Sequence, residues 1–126
     1  MTHLNLTFTI LLCVLLTTAG QIALKLGASH PALVGLLDAG NVAGYAARAV
    51  VSPAVIIGLL LYALSTALWL VILARTDLSY AYPFVSMGFV LTALYGRLAL
   101  HEALTAPRLV GIGLIVLGVI FVSQSR

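Results

Sequence analysis

Four long stretches of the chain carry no charged residue, and this pattern limits the folds open to it. The stretches cover residues 4–24, 49–74, 78–96 and 109–125. A helix of about 20 apolar residues crosses the roughly 30 Å hydrocarbon core of a bilayer. The sequence therefore predicts four transmembrane spans, of which the last is the shortest.

The apolar runs favour helices over strands. Every backbone polar group in hydrocarbon must be paired within the protein, which leaves helices and closed barrels. Barrel strands alternate apolar and polar residues, whereas residues 55–61 read Val-Ile-Ile-Gly-Leu-Leu-Leu. We expect an all-α membrane protein in which residues 1–126 form one domain. Its spans are predicted at about 4–26, 53–74, 79–99 and 106–123.

Composition excludes several classes of protein. The chain is 63% hydrophobic and 7% charged, whereas a soluble domain carries about 25% charged residues. A soluble enzyme and a nucleic-acid-binding protein are therefore excluded. The single cysteine, Cys13, can form no intrachain disulfide and has no Cys or His partner at metal-ligand spacing. We predict neither a metal nor a cofactor.

The first connection, residues 27–52, is long. Asp38, Asn41, Tyr45 and Arg48 recur in it at spacings of three and four, which is compatible with a short helix in the membrane interface. Gly35, Gly40 and Gly44 in the same segment are equally compatible with a flexible loop. Both interpretations remain open at this point.

The distribution of Lys and Arg residues between the two sides of the membrane bears on the orientation. Arg75 and Arg126 lie on the side of the termini, and the opposite side carries Lys25, Arg48, Arg97 and Arg108. The positive-inside rule then places the first and third connections in the cytoplasm. If Lys25 and Arg97 lie within their spans, the count is two against two, and either orientation fits.

Three predicted helices carry polar residues on one face. These residues are Thr18, Gln21 and Lys25 on the first, Tyr62, Ser65 and Trp69 on the second, and Tyr82, Ser86 and Arg97 on the third. We interpret these faces as the lining of a polar cavity. The alternative is that the hydroxyl and amide groups bond to their own backbone or to a neighbouring helix.

Lys25 and Arg97 suggest an anionic ligand. A cation at the centre of a span costs about 2.5–3.5 kcal/mol on insertion scales, unless it snorkels to the headgroups. Asp38, Asp77 and Glu102 all lie in connections, so we expect no acidic partner for Lys25. A cavity of this kind favours a phosphate. It lacks the embedded acid that a proton-coupled exporter of cationic drugs requires.

Two further features lie near the end of the chain. Gly111 and Gly118 are seven residues apart in the fourth span, where small residues allow close approach of another helix. His101 and Glu102 lie at the membrane surface without a nucleophile or metal-ligand pattern. We expect a local role for them, either pairing of Glu102 with Arg108 or capping of backbone groups.

Several segments together resemble a known group of proteins. They are Thr-Ala-Gly-Gln-Ile-Ala-Leu-Lys at 18–25, Ser-Tyr-Ala-Tyr-Pro-Phe-Val-Ser-Met at 79–87, His-Glu at 101–102, Pro-Arg at 107–108 and the glycines from 111 to 118. The chain resembles the drug/metabolite transporter superfamily and its branch of small multidrug resistance-like (SMR-like) bundles. Most closely it resembles the small four-helix subunits of the flippase that moves 4-amino-4-deoxy-L-arabinose linked to undecaprenyl phosphate.

The resemblance implies a dimeric SMR-like bundle in the bacterial inner membrane that is not an enzyme. It implies translocation of the aminoarabinose lipid for lipid A modification. By this resemblance the phosphate would meet Lys25 and Arg97, and the other substrate-binding residues would be Thr18, Gln21, Tyr62, Trp69, Tyr82 and Ser86.

The partners implied are a polyprenyl-phosphate glycolipid, membrane lipids, and either a second copy or a similar small subunit bound through Gly111 and Gly118. No nucleic acid is implied. The first-helix glutamate of multidrug exporters would fall at Thr17, so the resemblance does not extend to drug–proton exchange. The alternatives are an SMR-type small-molecule exporter and a non-transporting accessory subunit.

Overall fold

The computed structural model describes residues 3–124, which form seven helices. They are α1 (His3–Ala28), α2 (Pro31–Asp38), α3 (Val42–Val50), α4 (Pro53–Leu73), α5 (Leu78–Val85), α6 (Met87–Ala99) and α7 (Ala106–Ser123). Within this range no residue is in a strand. Arg126, which enters the orientation count above, lies outside the described residues.

Four helical segments are long and apolar enough to cross a membrane. They are Asn5–Ala28, Pro53–Leu73, Leu78–Ala99 and Ala106–Ser123. The predicted all-α fold with four spans is therefore confirmed.

The third span is not one regular helix but two, α5 and α6, which meet at Ser86. Pro83 lies inside α5 and has no N–H to donate, so it interrupts the regular hydrogen bonding. The amide of Ser86 donates to the carbonyl of Pro83 at 3.1 Å, and that of Phe89 to the carbonyl of Ser86 at 3.0 Å. These short-range bonds tighten the chain, and the faces of α5 and α6 no longer continue one another.

The first connection contains two helices rather than one helix or an open loop. α2 ends at Asp38, and Gly40 then adopts a positive φ of 73°, a conformation that glycine reaches at little cost. Asn41 caps α3 by accepting a hydrogen bond from the amide of Gly44 at 2.8 Å. The hydroxyl of Tyr45 donates to the carbonyl of Ala28 at 3.3 Å and joins α3 to the end of α1.

Helices α1 and α4 make the tightest helix pair in the described chain, because glycines face each other between them. A Cβ added to Gly58 would lie 2.9 Å from the carbonyl oxygen of Gly20, and one added to Gly27 would lie 2.6 Å from a Val55 methyl group. Small residues allow such close approach where apolar surface alone gives helices no reason to leave lipid.

The buried core lies mainly between α1, α4 and α5, and α7 adds one buried residue, Val119, from the periphery. Ile10 and Ile72 are fully buried, and Ala81 and Phe84 pack beside them. In contrast, only 6% of the α7 span is buried, against 33% of the α1 span. Large apolar side chains such as Phe121 face outward, as lipid-exposed residues do.

The close contact at Gly58 predicts that a single added methyl group destabilises the protein. We expect Gly58→Ala to destabilise the protein by about 1–3 kcal/mol, the usual cost of overpacking a tight contact. Thermal unfolding of the detergent-solubilised protein would measure it. Gly35→Ala in α2 is the matched control, because its Cβ would meet nothing within 4 Å. Equal unfolding temperatures for the two variants would contradict the importance of the α1–α4 contact.

Candidate functional site

A cavity of about 430 Å³ lies between α1, α4, α5 and the start of α6. It brings together five of the eight residues predicted to bind substrate, namely Thr18, Gln21, Tyr62, Trp69 and Tyr82. The remaining lining residues are Cys13, Val14, Thr17, Ser65, Thr66, Val85, Gly88 and Phe89. The cavity is therefore rich in hydroxyl and aromatic groups and has no acidic residue in its lining.

Most hydroxyls in the cavity wall are already hydrogen-bonded within the protein. Thr17 Oγ1 donates to the carbonyl of Cys13 at 2.9 Å and is also hydrogen-bonded to Ser65 Oγ. The Cys13 thiol lies 3.3 Å from both oxygens of Ser65. Thr66 donates to the carbonyl of Tyr62 at 2.9 Å. These side chains are therefore bonded as the alternative interpretation predicts, either to a neighbouring helix or to the backbone of their own helix.

Thr18 is the exception. Its side chain is only 5% exposed, and its hydroxyl has no hydrogen-bond partner within the described chain. Leaving a buried polar group unpaired costs about 1–3 kcal/mol, so nearly all such groups in folded proteins find a partner. Thr18 lies in the cavity wall, opposite Gly88 of α6. Thr18 Oγ1 is thus the one buried polar side-chain atom of the described chain without a hydrogen-bond partner.

The aromatic side of the cavity is formed by α4 and α5. The rings of Trp69 and Tyr82 make an edge contact with centroids 6.0 Å apart. Gln21 Nε2 donates to the hydroxyl of Tyr62 at 3.4 Å. Tyr82 is 60% exposed, so its ring presents both an apolar face and a polar tip to whatever occupies this side.

A second, smaller cavity of about 200 Å³ adjoins the first, and Gln21 lines both. Lys25 and Glu102 face each other in it, with Lys25 Nζ 3.8 Å from Glu102 Oε1. The side chains are 58% and 45% exposed. The prediction that Lys25 has no acidic partner is therefore wrong. It considered only acids within spans, whereas Glu102 reaches Lys25 from the connection before α7.

Local backbone geometry explains this position of Glu102. His101 adopts a φ of 54° and turns the chain back on α6, and the amide of Glu102 then donates to the carbonyl of Gly96 at 2.9 Å. A Cβ on Gly96 would lie 2.9 Å from Glu102 Oε2, so a larger residue at this position would shift the carboxylate from where it now lies. The expected pairing with Arg108 is not found. Arg108 instead donates to the carbonyl of Ala103 at 3.2 Å.

Ser86 and Arg97 line neither cavity. The hydroxyl of Ser86 is bonded to the carbonyl of Pro83, and Arg97 is exposed on α6. Their placement on the Tyr82 face assumed one continuous helix, which the break at Ser86 removes. Gly111 and Gly118 have open space where a Cβ would lie, so neither is needed for packing within this chain.

Sequence reasoning omitted several lining residues from the site. Cys13 and Thr17 precede Gln21 at spacings of four and so share its helix face. That periodicity was a usable signal for both. Gly88 and Phe89 follow the kink, and no simple periodicity reaches across it. Between residues 3 and 124, no group of three His, Cys, Asp or Glu side chains comes together to hold a metal.

Comparison with known proteins identifies relatives over almost the whole chain. The probable 4-amino-4-deoxy-L-arabinose-phosphoundecaprenol flippase subunit ArnE of Pseudomonas paraeruginosa is 37% identical over 110 residues, which is 87% of this chain and 90% of that protein. The ArnE subunit of Pseudomonas aeruginosa strain UCBPP-PA14 is 34% identical, covering 92% and 95% of the two chains. The chain belongs to this family of small flippase subunits.

A relative of the second subunit type extends the comparison. The flippase subunit ArnF of an Enterobacter species is 32% identical, with 91% of each chain covered. The family and the four apolar helices together define a multi-pass protein of the bacterial inner membrane, since outer-membrane proteins span as barrels. No protein-family profile matches the chain, and no solved structure matches it.

Replacement of the two neighbouring threonines of α1 by valine should have different effects on stability. Thr18→Val should leave the free energy of unfolding unchanged or raise it slightly, because the hydroxyl it removes is buried and has no partner among the described residues. Thr17→Val should cost about 0.5–1.5 kcal/mol, because it removes hydrogen bonds to Cys13 and Ser65. Thermal unfolding in detergent checks both. A large loss of stability in Thr18→Val would show that its hydroxyl has a structural partner.

Proposed function

We propose that this chain is a subunit of a flippase that moves an undecaprenyl-phosphate-linked aminosugar, 4-amino-4-deoxy-L-arabinose, across the inner membrane for lipid A modification. One observation carries the proposal. Gln21 joins a hydroxyl-rich cavity, with the unpartnered Thr18 in its wall, to a smaller cavity that contains Lys25. A sugar linked to a phosphate has the same two parts.

The two cavities lie at different depths along α1. Lys25 is in the last turn of the helix, whereas Thr18 and Gln21 lie one to two turns further in. The smaller cavity is thus the mouth, where Lys25 meets the phosphate by a charge-assisted hydrogen bond. Arg97, exposed on α6, adds positive charge at this end of the bundle and attracts anionic headgroups before they enter.

The sugar occupies the larger cavity during translocation. Thr18, whose hydroxyl has no partner among the described residues, donates or accepts a hydrogen bond with the sugar, while Gln21, Tyr62 and Tyr82 offer further polar contacts. Trp69 provides an apolar surface for the sugar ring. The polyprenyl tail stays in lipid, and no covalent bond is made or broken by the chain.

A complete pathway requires a second chain. α7 carries Gly111 and Gly118 on a surface that is unoccupied within one chain, and small residues in membrane helices allow close helix–helix approach. The relatives include proteins named as ArnE and as ArnF, so the second chain is either another copy or a similar small subunit.

Substitution of Lys25 tests the proposed site. We expect Lys25→Gln to reduce aminoarabinose on lipid A roughly tenfold or more, the loss that follows from one charge-assisted hydrogen bond of about 1.5–3 kcal/mol. Lys25→Arg should retain part of the activity. The measurement is mass spectrometry of lipid A from cells whose only copy of the subunit is the variant, with the membrane-inserted protein quantified.

Arg48→Gln is the control for the Lys25 variants, because Arg48 lies on α3 and lines neither cavity. It removes one positive charge and should leave lipid A modification unchanged. Wild-type modification in well-expressed Lys25→Gln cells would exclude Lys25 from the site. Snorkelling of Lys25 to the headgroups would then be its role.

Replacement of the α7 glycines tests the chain–chain contact. Gly111→Leu or Gly118→Leu should lower the yield of crosslinked dimer in membranes, since a bulky side chain keeps the partner helix at a distance. Insertion and monomer stability should be retained, because a Cβ at either position would meet no other part of the described chain within 4 Å. An unchanged dimer yield would place the interface on another face.

A further inference from the structure

The ion pair at the mouth contains a residue that phosphate binding alone does not explain. Glu102 lies 3.8 Å from Lys25, and both side chains are about half exposed in the same small cavity. A carboxylate beside the phosphate-binding cation repels the phosphate, because like charges at short range oppose each other. A site that had to bind only a phosphate would therefore be better without Glu102.

The carboxylate is nevertheless held there by three features of the backbone. His101 takes a left-handed conformation, the amide of Glu102 is bonded to the carbonyl of Gly96, and Gly96 itself leaves space for the carboxylate. A non-glycine residue at positive φ is uncommon and carries some strain. The chain thus adopts a costly local conformation that directs an acid towards Lys25.

We propose that Glu102 is the specificity-determining residue that selects headgroups carrying an ammonium group as well as a phosphate. The inference rests on the proposed function and assigns to one residue the recognition of the amine. When such a zwitterion enters, Lys25 pairs with its phosphate and Glu102 with its ammonium. One ion pair within the protein is replaced by two between protein and ligand, and no charge is left alone.

A headgroup without the amine binds less favourably. Its phosphate pairs with Lys25 in place of Glu102, and the Glu102 carboxylate is then left without a cationic partner close to the negatively charged phosphate. Selection by an unpaired charge in the wrong complex is a general route to specificity. The larger cavity has no acidic residue in its lining, so the amine is recognised at the mouth before the sugar moves inward.

The test compares two lipid probes that differ at one position, the amino group of the sugar, which is charged in one and acetylated and neutral in the other. One is farnesyl-phosphate-linked 4-amino-4-deoxy-L-arabinose, and the other is the same lipid with its amine acetylated. The full-length protein, with any chain that copurifies, is reconstituted into liposomes. Translocation is followed as the fraction of probe that impermeant periodate can oxidise at the vicinal hydroxyls of the sugar, which both probes retain.

We expect the wild-type protein to move the amine probe roughly tenfold faster or more than the acetylated probe, as for loss of one charge-assisted hydrogen bond. Glu102→Gln should bring this ratio close to one, because the amine probe loses its carboxylate partner and moves more slowly while the acetylated probe no longer meets an unpaired carboxylate and moves faster. Asp38→Asn, which removes an exposed carboxylate at the end of α2, should keep the wild-type ratio. An unchanged ratio in Glu102→Gln would overturn the inference.

The wild-type protein alone separates the inference from the proposed function. If it moves both probes at equal rates, transport stands and selection through the amine is refuted. If it moves neither, the proposed function fails and the inference with it.

Should Glu102→Gln not be recovered in a folded state, Glu102→Asp replaces it. The shorter carboxylate should lower the ratio without abolishing it, and a wild-type ratio in this variant would argue against a contact with the amine.

Discussion

The close approach of α1 to α4 sets the position of the polar groups in the large cavity. Glycines at 20 and 58 bring the two backbones together, and only at that distance can Thr17 and Cys13 of α1 bond to Ser65 of α4. Interhelical hydrogen bonds and close packing hold membrane helices together where the hydrophobic effect cannot. The remaining helices are arranged around this pair.

The hydroxyl groups of the two neighbouring threonines in the cavity wall differ in their bonding. Thr17 is hydrogen-bonded within the chain, as are Ser65 and Thr66, whereas Thr18, one position further along α1, is buried without a partner among residues 3–124. Residue type does not distinguish the two threonines. The distinction depends on which neighbouring helix each one faces, and it becomes visible only when the helices are assembled.

The sequence predicts the fold well and the site in part. Charge-free runs give the four spans because the bilayer fixes their length. Helical periodicity predicts that Gln21, Tyr62 and Trp69 face a shared cavity, and they line one because α1 and α4 are regular. Periodicity fails beyond Pro83, where the kink moves Arg97 away from the Tyr82 face. Nor could spacing reveal the Lys25–Glu102 pair, because a loop conformation set by His101 brings together residues 77 positions apart.

The peripheral position of α7 has a consequence for how the protein is made. Its span is strongly apolar, with a mean hydropathy of 2.1, yet only 6% of it is buried against the other helices. Insertion of such a segment depends on its own transfer from water to lipid and hardly on contacts with the earlier spans. During biosynthesis α7 can therefore enter the membrane as an independent helix. The helices that finally pack against α7 then meet it within the bilayer, when the subunits assemble.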